Sequence, residues 1–400
     1  MKIRPVFLVV FITFIAVFTI VSSCRIDLYQ WQGLEKLSYI VPEIERFRYR
    51  VLITVDNSLY NEDFTDFPVL VKLDGSGDVQ LSLLDSTAPL IRFYSEDLQQ
   101  ELAFEVEQWD PSGAGECYIW VKVPEILASS DPGARFYLYY DYDSELALSS
   151  HSTYVWSDNF NGVWHFNETT GTCYRDSSPG GHCGGLTGNT QTFTAPTPTA
   201  GPIAGAQQWV NGTDGIAIPP ISTSDLGPFT ISLWTYIDDL GSSNNGRFFD
   251  KGWADEYGFH ARVVNDDIYF EVAADTLVFG DNRVLTINNV VNAGAWNWWC
   301  FRYDGDFVNS TATERANYKN AGSMEGSTGG DGTGNSGYDG DSGAYLHIGN
   351  SNFDNNLSIR GRIDEVRISS VMRTETWIQA QYASMTDSYL DFGPEEEMEY

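Results

Sequence analysis

Positive charge is scarce in this 400-residue chain: 23 Lys and Arg face 55 Asp and Glu, for a formal net charge of −32. So acidic a surface repels phosphate backbones, which argues against nucleic acid as a partner. It suits solvation of an extracellular surface first, and attraction of divalent cations second. Histidine is also rare, with five residues, and their spacing supports no Ser–His–Asp or Cys–His–Asp arrangement. No C-x-x-C pair occurs among the five cysteines, which leaves a zinc site without support at this level. Long Leu/Ala/Glu/Lys runs of helical period are few as well. Aromatic side chains are abundant instead, 14% of the chain within a hydrophobic total of 42%. That suffices for packed cores, excludes a mainly disordered chain and favours strands. The length calls for two or three domains.

The N-terminus reads as an export signal: Lys2 and Arg4, an apolar run from Val6 to Val21, then Ser22, Ser23 and Cys24. Val21-Ser-Ser-Cys24 resembles a bacterial lipobox, in which the Cys24 thiol is diacylated. An uncleaved membrane-spanning anchor is the alternative, although the run is short of the roughly 20 residues that cross a bilayer. Either way the rest of the chain lies outside the cytoplasm, in the cell envelope or at the cell surface. Cys173 and Cys183 flank a Gly-rich stretch and would close a small loop as a disulfide. Cys117 and Cys300 sit in strand-like segments and read as buried free thiols.

The texture along the chain suggests residues 1–24 as signal or anchor, 25–45 as spacer, 46–150 and 151–393 as two all-β domains, and 394–400 as a frayed acidic tail. Short alternating runs between Asp/Asn/Gly/Pro turns predict strands over 48–55, 68–73, 90–94, 102–107, 117–123 and 135–140, a small antiparallel sandwich. After residue 151, runs at 156–166, 215–218, 229–236, 248–249, 257–263, 268–272, 296–303, 345–349 and 361–368 suggest a two-sheet jelly roll. A short helix is expected over 374–382. The Pro/Thr stretch 194–202 and the Gly/Ser/Asp stretch 322–343 read as loops.

Val163–Glu168, Phe229–Trp234 and Arg360–Ser369, followed by Arg373, Trp377-Ile378 and Gln381-Tyr382, resemble the concanavalin A-like, laminin-G-like jelly-roll family. Tyr49-Arg50, Phe67–Val71, Ile91–Phe93, Glu105–Glu107 with Trp109, Trp120–Pro124 and Tyr137–Tyr140 resemble a domain of unknown function often placed directly before such domains in secreted and envelope proteins. The pairing implies two tandem antiparallel β-sandwiches, the second a concanavalin A-like jelly roll.

Family members include glycoside hydrolases, which need two carboxylates flanking the sugar bond. The Glu-x-Asp-x-Glu string of the family's glucanases is absent. Glu105 and Glu107 share a strand face but lie in the other domain, where a solvated outer face is the simpler expectation. Asp364 and Glu365, being neighbours on a strand, point to opposite faces, and one of them is expected to tie down a loop through backbone N–H groups. His165 is expected to be structural. No catalytic residue is assigned. The resemblance makes calcium the candidate cofactor, with Asp214, Asp331, Asp339, Asp341 and Asp354 as loop ligands, solvated loops being the alternative. Trp253, in a turn-like segment, is the candidate glycan platform. The reading is a non-enzymatic surface protein binding a glycan or an extracellular protein. A structural spacer of an envelope complex is the alternative, and a diverged glycoside hydrolase the distant one.

Overall fold

The computed structural model describes residues 44–398, except 76–78, 88, 113–114, 131–132, 143–151, 189–190, 222–226, 241–244, 253–257, 274–281, 306–314, 325–326, 330–342, 352–353 and 355. The first sandwich is built from β1 (Phe47–Val55), β2 (Phe64–Leu73), β3 (Arg92–Ser95), β4 (Phe104–Trp109), β5 (Cys117–Ile126) and β6 (Arg135–Tyr142). A one-turn helix α1 (Ser152–Val155) leads into the second, made of β7 (Phe160–Trp164), β8 (Thr197–Ala200), β9 (Gly205–Trp209), β10 (Ile216–Ile218), β11 (Phe229–Ile237), β12 (Arg247–Lys251), β13 (Gly258–Val264), β14 (Asp267–Ala273), β15 (Asn282–Ile287), β16 (Trp296–Tyr303), β17 (Arg315–Lys319), β18 (Gly322–Met324), β19 (Ser327–Gly329), β20 (Leu346–Ile348) and β21 (Gly361–Ser369). Helix α2 (Glu375–Met385) and β22 (Leu390–Glu397) close the chain.

All sheet pairs are antiparallel. In the second sandwich, a sheet ordered β10-β20-β12-β13-β14-β15-β19 packs on one ordered β18-β17-β16-β11-β21-β9-β8, with β7 also paired to β21. Alternation along β11 and β16 explains why. Ile231, Leu233, Trp299 and Phe301 face the core between the sheets. Trp234, Trp298 and Cys300 face the other way and join the core of the first sandwich. Helix α2 fills the space between. Its N-cap is Thr374, whose hydroxyl oxygen accepts from the Trp377 N–H at 3.1 Å. Tyr382 packs on Trp234 and Trp298, and Trp377 meets Phe67 of β2 edge to face.

Three expectations change. The acidic C-terminus is not frayed through Glu397: β22 adds to the first sandwich as the edge of the order β22-β1-β6-β3, opposite β2-β5-β4. Arg50 pairs with Glu396 at 2.6 Å and Arg48 with Glu397 at 3.1 Å, while Tyr140 donates to Glu395. These basic partners on β1 offset the poor strand propensity of an acidic, Pro-containing segment. The 194–202 stretch, read as a loop, contains β8 paired to β9. The 322–343 stretch begins with β18 and β19. Its remainder at 330–342 lies outside the described residues.

Candidate functional site

The polar residues that converge most closely lie between the two sandwiches. Strand β4 carries Glu105 and Glu107, with Glu105 opposite Trp120 of β5 and a register irregularity between Val106 and Gln108. From the second sandwich, β7 pairs with β21 so that Trp164 lies opposite Val366. This brings the next residue, His165, abreast of Glu365. Against β11, the two residues of β21 between Asp364 and Arg367 face one, Leu233, and Glu365 adopts φ +53°. That bulge puts Glu365 on the side of the first sandwich together with Asp364, correcting the expectation that the two point to opposite faces; a regular strand would have turned Glu365 to the side of Ile363, in the core between the sheets.

His165 is the hub. Its Nδ1 lies 2.5 Å from Glu365 Oε1 and 3.3 Å from Glu107, and its Nε2 lies 3.3 Å from Glu105 Oε2. The indole N–H groups of Trp120 and Trp156 donate to Glu107 at 2.7 Å and to Glu105 at 2.6 Å, and Ser177 donates to Glu105 at 2.6 Å. Arg367 Nε donates to Glu365 at 3.0 Å, and its guanidinium stacks 4.2 Å from the Trp120 ring. The side chains of Glu107 and Glu365 are 0% exposed and that of His165 is 7% exposed. The seam is sealed.

Its electrostatics follow from that sealing. Burial opposes charge on His165, but the carboxylates of Glu365, Glu107 and Glu105 overcome it and hold the imidazole well above its usual range. Burial also works against the Glu365 carboxylate, yet His165 and Arg367 bring it down to about 2. For Glu107, burial and then the nearby Glu365 outweigh His165, the Trp120 hydrogen bond and Arg367, and push it well above the carboxylate range. Asp364 is raised in the same way, by burial first and then by Glu365 and Glu107. Glu105 is held low: burial is outweighed by His165 and by its three hydrogen-bond donors.

The expected solvated face of Glu105 and Glu107 is therefore corrected: docking of the second sandwich covers it. Asp364 does tie a loop, accepting from the Ile203 N–H at 3.3 Å. His165, expected to be structural, lies at the centre of the seam.

Cys173 and Cys183 form a disulfide, and Cys117 and Cys300 are buried free thiols. Asp214 is buried and accepts from the N–H groups of Val210 and Asn211 in its own loop and from the Thr194 hydroxyl of a neighbouring segment. Asp354 accepts from Asn356, by backbone and side chain. Asp331, Asp339, Asp341, Trp253 and Cys24 lie outside the described residues. Asp214 and Asp354 are thus not brought together with the seam.

Residues 210–379 match the model of the concanavalin A-like lectin/glucanases superfamily, and residues 89–173 match a domain of unknown function, DUF2341. The second match runs through the seam, since it contains Glu105, Glu107, Trp120, Trp156 and His165. No curated protein matches in sequence. Among solved structures, domain 4 of the extracellular arabinanase AbnA from Geobacillus stearothermophilus, in complex with arabinotriose, is similar at 18% identity and a TM-score of 0.41, covering 56% of this chain and 99% of that one. The binding domain of botulinum neurotoxin DC, in complex with rat synaptotagmin II, is similar at 10% identity and a TM-score of 0.41, covering 57% of this chain and 52% of that one. This chain spans about half the length of that neurotoxin domain. The chain thus carries a segment that matches DUF2341, residues 89–173, followed by one that matches the concanavalin A-like lectin/glucanases superfamily, residues 210–379.

Proposed function

We propose that the chain is a non-enzymatic binding protein of the extracytoplasmic envelope surface, tethered at its N-terminus, that presents both sandwiches as one unit to a glycan or protein ligand. The observation that carries this reading is the sealed seam. Its paired carboxylates and histidine are the groups most like an acid–base centre, yet they spend their hydrogen bonds on each other and on Trp120, Trp156, Ser177 and Arg367. Glycoside hydrolysis needs carboxylates open to a sugar on two sides. The disulfide is consistent with an oxidising compartment outside the cytoplasm.

The test is to offer the full-length chain, in detergent, to a glycan array and to soluble polysaccharides. Retention without release of reducing ends is the expected result. Release of reducing ends that disappears in Glu107→Gln would overturn the reading. Tethering is tested by Cys24→Ala. Movement of the protein from the membrane to the soluble fraction is expected for a lipid anchor, whereas unchanged membrane retention points to the apolar segment itself. A spacer role is favoured specifically by the shared core and by β22, which stiffen the pair. An array and a protein-capture screen that both return nothing would select it.

A further inference from the structure

We propose that the seam is a site for one divalent transition-metal ion of the zinc class, bound by His165 Nδ1 and one carboxylate oxygen each of Glu107 and Glu365. These three ligand atoms lie within 4.8 Å of one another. The 3.3 Å between His165 Nδ1 and Glu107 Oε2, the oxygen that also accepts from Trp120, is close to the separation of two ligands in a tetrahedral zinc site with bonds of about 2 Å. The 2.5 Å between His165 and Glu365 is a hydrogen-bond distance. An ion replacing the shared proton needs that carboxylate to move outward by less than about 1 Å.

One further observation points to an ion. Glu107 is fully buried and its Oε1 has no hydrogen-bond partner, although Oε2 is held by Trp120. An orphaned carboxylate oxygen in a dry seam is costly unless something positive meets it.

The surrounding groups are those a metal site requires. A ligating imidazole ordinarily donates its other N–H to a carboxylate, and ligating carboxylates are themselves held by donors. Here Glu105 sits on Nε2, Trp120 holds Glu107, and Arg367 holds Glu365. One nitrogen with two oxygens suits zinc and its neighbours, whereas calcium takes six to eight oxygens. The ion's role is structural: it ties Glu107 of the first sandwich to His165 and Glu365 of the second.

The full-length chain, purified in detergent without chelator, is assayed for bound metals by mass spectrometry. It is then stripped and titrated with zinc, manganese and calcium. About one molar equivalent of zinc or a neighbouring ion is expected, together with a higher melting temperature. His165→Gln and Glu107→Gln should abolish retention. Glu105→Gln, which preserves the packing and removes only an outer partner, should weaken affinity by about 10–100-fold, a check that survives if the other two fail to fold. A stripped and reloaded wild-type chain that retains less than a tenth of an equivalent would overturn the proposal. So would zinc retained undiminished by all three variants, or retention of calcium alone.

Discussion

Arg367 supplies the seam with a guanidinium that donates to Glu365 and stacks on Trp120. Replacing it by Met leaves Glu365 buried against His165 alone, which should destabilise the chain by about 3–5 kcal/mol. The double change Arg367→Met with Glu365→Gln should recover much of that loss. Urea unfolding of the four chains gives the coupling, and strictly additive losses would show that the two side chains do not act as a pair. His347 is a second residue-scale test. It is 0% exposed, and burial brings its pKa down to about 4 from the ordinary range near 6.5. The unfolded chain therefore binds this proton first as pH falls. The stability contributed by a neutral His347 is complete above pH 6.5 and is lost progressively between 6.5 and 4, by up to about 3 kcal/mol. In His347→Asn the part of the fall in stability over that window that His347 contributes should vanish, leaving a shallower slope than the wild type's. A slope equal to that of the wild type would refute the assignment.

Among the elements, β22 is the one whose loss is simplest to interpret. Truncation after Tyr389 uncovers β1, which bears Tyr49, Val51 and Ile53, as a bare strand edge. A lowered melting temperature and higher-order species in light scattering are expected; an unchanged, monomeric protein would mean β22 contributes nothing. Strands such as β11 and β16 were legible in the sequence because apolar and aromatic residues recur in runs bounded by turn residues. Helix α2 was legible from the spacing of Trp377, Ile378 and Tyr382. β22 was not: Asp-Phe-Gly-Pro-Glu-Glu-Glu has the composition of a tail, and its partners Arg48 and Arg50 stand at the other end of the chain. The seam was hidden for a related reason. Glu105 and Glu107 alternate with apolar residues as a solvated strand face does, and only docking of His165 and Glu365, 60 and 260 positions away from Glu105, makes them interior. The bulge that turns Glu365 leaves no trace in local composition.

At the scale of the whole molecule, the small Cys173–Cys183 loop and the large seam make separable contributions. Closing a loop of sequence separation 10 stabilises by about 2–3 kcal/mol, so Cys173→Ser with Cys183→Ser should lower the melting temperature without dividing the transition. The seam and α2 couple the sandwiches, so calorimetry of the intact chain should give one transition, and two well-separated ones would show the coupling to be weak. The pairing of Tyr49 with Glu397 has a consequence for biogenesis. Synthesis from the N-terminus delivers β1 well before β22. The first sandwich is then short of one edge strand until β22 emerges, which delays its completion and makes a holding chaperone useful in the interval.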